Sequence, residues 1–103
     1  MPKLVISTAA REDLASIEAY LESVSGSTST AEAFVDKIIA KCENWARLPT
    51  IFGRPRPDLL PDLRSAPFGN YIVFFRYSAG AFVVVNVLHA ARDLDAYFAQ
   101  DDD

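Results

Sequence analysis

The chain has 103 residues and is sparing with the residues that most often carry chemistry: it contains one cysteine, one histidine, one tryptophan and four glycines. A lone Cys42 closes no internal disulfide, which sets aside the disulfide-stapled secreted scaffolds and suits a reducing compartment. One histidine and one cysteine on different elements are too few for a zinc-type site, which needs several convergent ligands. A Gly-rich phosphate loop is absent, and so is the Gly-x-Ser-x-Gly elbow that would support a Ser-His-Asp triad. No metal and no cofactor is expected. The apolar run Ala81–Val85 falls far short of the ~20 residues that cross a bilayer. The opening Met1–Ser7 holds no apolar stretch of signal-peptide length. A soluble, cytoplasmic protein is the expectation.

What is present resembles an ordinary globular domain: 50% hydrophobic, 12% aromatic and 23% charged. The length suits one domain, residues 1–103. The net charge is −4, which argues against general nucleic-acid binding, but the charges are segregated. Residues 45–92 carry six arginines against Asp58 and Asp62, a local excess of +4, and no lysine follows Lys41. Residues 93–103 carry five aspartates and no base. Arginine offers a rigid planar fork to carboxylates and phosphates. The basic stretch is therefore either a surface for an anionic partner or a set of separately solvated arginines.

Lys3–Ile6 reads as a strand, with Ser7 or Thr8 placed to cap a following helix. Leu14, Ile17, Leu21 and Val24 recur at three- and four-residue steps, which predicts an amphipathic helix from about Ala9 to Ser23. The Ser29…Glu32 spacing is a capping-box pattern and predicts a second helix over residues 30–48. Its wide stripe (Phe34, Ile38, Cys42 and Trp45, with Val35, Ile39 and Ala46 beside it) predicts burial on more than one side. The short polar loop between the helices predicts an antiparallel hairpin. Five of the six prolines lie in residues 49–67, an irregular connection that carries Arg54 and Arg56 and excludes a helix or a central strand. A strand start is expected near Asp62–Ser65. Tyr71–Tyr77 and Ala81–His89 read as a β-hairpin. Tyr71, Val73, Phe75 and Tyr77 lie on one face, and Ile72 and Phe74 on the other. A sheet with two apolar faces needs cover on both. The helical hairpin can supply one cover, and a short helix over residues 91–100, with Leu94, Tyr97 and Phe98, or a partner protein the other. Asp101–Asp103 reads as a frayed tail. The fold class is α+β, with a largely antiparallel sheet.

Cys42 falls in an apolar stripe and reads as a buried structural thiol. His89, at the end of the last strand, reads as a residue that caps the following turn rather than as a general base. Arg64 and Arg76 lie on strands. They either line a concave sheet face or pair with Asp58, Asp62 or Asp93.

Several segments together resemble a known family: Ala10–Leu14 with Ile17 and Tyr20, Leu48-Pro49, Gly53–Pro57, Leu63–Ser65, Tyr71–Tyr77 and Val87–Asp93. They are similar, in this order and over nearly the whole chain, to the RelE/ParE toxin superfamily of bacterial type II toxin–antitoxin systems, and most of all to its ParE branch. The resemblance implies an N-terminal strand and an α-helical hairpin packed on a small, largely antiparallel sheet. It implies a ParD-like antitoxin that neutralises the toxin by direct binding, a non-enzymatic action on DNA gyrase, and growth arrest. RelE-like members instead cut mRNA on the ribosome. That chemistry needs a base, an acid and cations on the phosphate; Arg64 and Arg76 stand at comparable places, Tyr97 is the match for that branch's C-terminal tyrosine, and with His89 they form the candidate ribonuclease set. The lysines of that branch are missing here, and the C-terminal aspartates would repel RNA. Gyrase inhibition is therefore preferred to ribonuclease activity, and an inactive relative that only binds antitoxin is the third reading. Partner contact is assigned, by charge and position, to Arg54, Arg56, Arg64, Arg76, His89 and Arg92.

Overall fold

A computed structural model describes residues 3–99. Gln100 and the expected frayed tail at Asp101–Asp103 lie outside them. The elements run β1 (Lys3–Ile6), α1 (Thr8–Ser25), α2 (Thr28–Ala46), β2 (Arg54–Pro55), β3 (Arg64–Phe68), β4 (Tyr71–Ser78), β5 (Ala81–His89) and α3 (Leu94–Ala99). The five strands form one open sheet in the order β1-β5-β4-β3-β2. All pairings are antiparallel except β1 with β5, which is parallel.

The helices begin and end where their side chains satisfy the free backbone groups. Ser7 is the N-cap of α1, and its hydroxyl accepts from the Ala10 amide at 3.0 Å. The helix stops at Gly26, which takes the left-handed conformation (φ 70°) that glycine adopts without strain. The second cap is Ser27, whose hydroxyl accepts from the Thr30 amide at 3.2 Å. The expected cap at Ser29 is displaced by two residues. Both serines can bond a downstream amide, and the short loop after Gly26 leaves room for the earlier one. Helix α2 therefore starts at Thr28 and ends at Ala46 rather than covering 30–48. The stripes of both helices converge on one sheet face. Leu14, Ile17, Val35, Ile38, Cys42 and Trp45 pack there with Val73, Phe75, Phe82, Val84 and Val87.

The β4–β5 hairpin turns at Ala79 and Gly80, both with positive φ (48° and 79°). Two left-handed central residues match the twist of the flanking strands. The two strands shift register between Phe74 and Phe75, where Phe74 faces Asn86 and Phe75 faces Val84. Val85 is the extra residue. Beyond it the side chains of β5 exchange faces, so Val87 joins Phe82 and Val84 under the hairpin while Leu88 turns to the far side.

Prolines sit where a missing N–H costs little. Pro55 is on the edge strand β2, and Pro67 follows the end of β2 pairing at Ser65, where β3 has become the outer strand. Gly53 is required by contact as well as by its φ of 92°: a Cβ there would lie 2.4 Å from Phe75 Cζ. The far sheet face is closed by the chain itself. Phe98 of α3 packs edge-on against Phe74 at 5.1 Å, over Leu63 and Leu88.

Candidate functional site

A concavity lies where the helical hairpin meets the β3–β4 turn. Tyr20 and Leu21 of α1, Phe34 of α2, Gly69 and Asn70 of the turn, Tyr71 and His89 enclose about 530 Å³. Phe34 meets Phe68 edge-on at 5.6 Å and Tyr71 at 5.8 Å, which fixes the floor. A second concavity of about 220 Å³ shares Tyr20, Tyr71 and His89 and continues toward Asp13 and Arg92. Burial, with Tyr20 close by, pushes the Tyr71 phenol above its ordinary value, so it stays protonated and can donate. Tyr20, which lines both concavities, is 60% exposed, and Val24, one turn further along α1, is 62% exposed. These neighbouring apolar side chains are left in water by the described chain.

The residues singled out from the sequence fall into three groups. His89 and Arg92 border the concavities. The imidazole Nδ1 accepts from the Ala91 amide at 3.1 Å, the turn-capping role expected of it. Tyr71 meets the His89 ring edge-on at 5.3 Å, and the Arg92 guanidinium stacks 4.6 Å over the Tyr97 ring.

Arg64 stands apart. Its Nε donates to the Phe52 carbonyl at 2.8 Å and its Nη2 to the Gly53 carbonyl at 2.7 Å, so it holds the proline-rich connection against the sheet. Pairing with Phe75 places it on the hairpin face.

Arg54, Arg56 and Arg76 lie on the opposite face. Arg54 pairs with Ser65, which pairs with Phe74. Arg76 follows Phe74 by two residues on the same strand, and the Arg56 guanidinium lies 6.0 Å from the Phe74 ring centre. Arg56 also grips Asp58 through two bonds of 3.2 and 3.1 Å, which hold the Asp58 carboxyl below its usual range. Of the two alternatives open for Arg64 and Arg76, pairing with an aspartate is not observed among the described residues; the ion pair found there is Arg56–Asp58. Arg64 and His89 thus face one side of the sheet, and Arg76 and Tyr97 the other.

One constellation was not legible in the sequence. Asp13, on α1, reaches past Ser7 to the part of β5 that β1 leaves unpaired. Its Oδ2 accepts from the Val87 amide and from the Asn86 side chain, each at 2.9 Å. The same Asn86 amide donates to the Tyr97 hydroxyl at 2.8 Å. A buried asparagine thus ties the first helix to the last. The only sequence signal was a polar residue inside an otherwise apolar strand.

The family model described as ParE toxin of type II toxin-antitoxin system, parDE, matches residues 4–94, and the chain belongs to that family. A chain from the solved chromosomal ParDE TA system from P. aeruginosa superposes with a TM-score of 0.75, covering 86% of this chain and 96% of its own, at 18% identity. At that identity the likeness is one of fold. No curated protein matches in sequence. Among the described residues, no helix is long and apolar enough to cross a membrane, and no group of three or more His, Cys, Asp or Glu could hold a metal ion.

Proposed function

We propose that this ParE-family chain is a cytoplasmic toxin that inhibits DNA gyrase and is neutralised when a ParD-like antitoxin binds it directly. The observation that carries the antitoxin half is the uncovered aromatic cleft of Tyr20, Phe34 and Tyr71 beside exposed Val24. An amphipathic helix laid in a groove buries such a surface with anchors at three- and four-residue spacing. The gyrase half rests on family membership and on the arrangement of the cations. Ribonuclease chemistry needs its groups around one phosphate, whereas Arg64 is bound to two backbone carbonyls on the face opposite Arg76 and Tyr97. This disposition supports a non-enzymatic reading.

The test is a supercoiling assay with purified protein and gyrase, run beside a ribosome-plus-mRNA cleavage assay. Inhibition with trapped cleaved DNA, relieved by a co-purified ParD-like protein, is the expected result. Cut mRNA would replace the gyrase reading with the ribonuclease one, and silence in both assays would leave an antitoxin-binding relative. Tyr20→Asp should weaken antitoxin binding about tenfold or more, since it places a charge in the cleft. Unchanged affinity in a titration would remove the cleft from the interface.

A further inference from the structure

The sheet face that carries α3 also carries three arginines, Arg54, Arg56 and Arg76, of which Arg56 holds Asp58. Arg54 shares a row with Ser65 and Phe74. The Arg56 amide donates to the Leu63 carbonyl at 2.7 Å, which continues the β2–β3 ladder by one residue and keeps Arg56 on the same side as Arg54. Arg76 lies on that side too, beside Val83. Arg56 and Arg76 are separated by two strand spacings, about 10 Å at the backbone. Arg54 and Arg76 are exposed. Nearby, Asp58 already shows what the face accepts: a carboxylate held by both arms of the Arg56 fork.

We propose that Arg54, Arg56 and Arg76 form a docking face for a short acidic peptide segment of a partner protein, whose carboxylates bridge Arg54 and Arg76 and exchange with Asp58 on Arg56. The face lies across the sheet from the aromatic cleft, so it would be a second point of attachment. Carboxylate is favoured over a nucleic-acid backbone by what surrounds the patch. Asp93 and Asp95 are exposed at the start of the helix on the same face, and the whole chain carries −4. These carboxylates add negative potential, which opposes a long polyanion more than a short peptide. The inference rests on the reading of this chain as a protein-binding toxin, but its test uses a synthetic probe, so it can fail while the gyrase and antitoxin assays succeed, and the reverse.

The experiment is fluorescence anisotropy at low salt. The probes are a short labelled peptide of alternating glutamate and alanine and a single-stranded RNA oligonucleotide of equal charge. Wild-type protein should bind the peptide, more weakly as salt rises. The Arg54→Ala/Arg76→Ala double variant should lose about tenfold or more in affinity, since charge-assisted contacts are among the stronger polar ones. The control, Arg11→Ala/Arg47→Ala, removes the same charge from arginines bonded to the Ile6 carbonyl and to Asn44, and should bind as wild type. Equal loss in both variants would overturn the proposal, because net charge alone would then explain the binding. Absence of peptide binding by wild type would overturn it as well. Tighter binding of the oligonucleotide, lost in the Arg54/Arg76 variant, would reassign the face to phosphates.

Discussion

The carboxylate of Asp13 does what no backbone neighbour can. Where β1 ends, β5 still has an amide to satisfy at Val87, and Asp13 accepts from it and from Asn86. Asp13→Ala leaves the Val87 amide without its acceptor, while Asn86 keeps only the Tyr97 hydroxyl, and we expect a loss of about 1–3 kcal/mol in urea unfolding. Asp13→Asn retains an acceptor and should cost less. Cys42 makes the opposite point, since its surroundings are apolar. Burial, with Glu43 nearby, raises its thiol from 9.0 to about 12. The folded chain therefore disfavours the thiolate. The stability this confers is intact below about pH 9 and declines as pH rises from 9 toward 12, because the unfolded chain ionises first. At pH 8 a thiol reagent should label Cys42 only slowly until denaturant is added; fast labelling of native protein would contradict the burial.

At the scale of elements, α3 is short and depends on its anchors. Phe98 fills the space over Phe74, and the Tyr97 hydroxyl accepts from Asn86. Isolated helices of this length do not form in water, so tertiary contact holds it. Phe98→Ala should cost about 3 kcal/mol, near the low end for a buried phenylalanine because a terminal helix can detach. Amide exchange would show the loss concentrated in residues 94–99. The proline-rich connection is held differently, by Arg64 on the Phe52 and Gly53 carbonyls, by the Phe52 amide donating to the Tyr77 hydroxyl at 3.0 Å, and by the Trp45–Phe52 stack at 5.1 Å. Gly53→Ala should destabilise the fold, both through the positive φ and through the collision with Phe75. A melting temperature equal to wild type would show that this segment can shift.

Across the whole molecule, the first strand is inserted beside the last. Ser7, at the end of β1, donates its hydroxyl to the Val85 carbonyl at 2.8 Å, a contact that spans most of the chain. Removing residues 1–6 should uncover the Ala81–Val84 edge of β5, lower the melting temperature and promote aggregation through the exposed strand, measurable by calorimetry and light scattering. The charge plan is also molecular in scale. If the basic stretch contacts the target, Arg76→Ala and Arg92→Ala should each weaken growth arrest without unfolding the protein. Undiminished toxicity at equal protein level would exclude both from the target surface.

The sequence by itself determined the helical hairpin, the β4–β5 hairpin, the two apolar faces of β4 and the need for a second cover. These follow from local spacing, since periods of two and of three to four residues are written into the order of side chains. It also carried the family resemblance, because that lay in an ordered set of short segments. The tertiary structure alone decided the parallel pairing of β1 with β5, the face exchange after Val85, the choice of Ser27 over Ser29 and the separate fates of the arginines. Apart from the cap, where two nearby serines compete for one helix start, each of these depends on a partner distant along the chain. Arg64 and Arg76 look alike in sequence, yet adjacent strands and opposite pleats leave one bonded to two carbonyls and the other open to a partner.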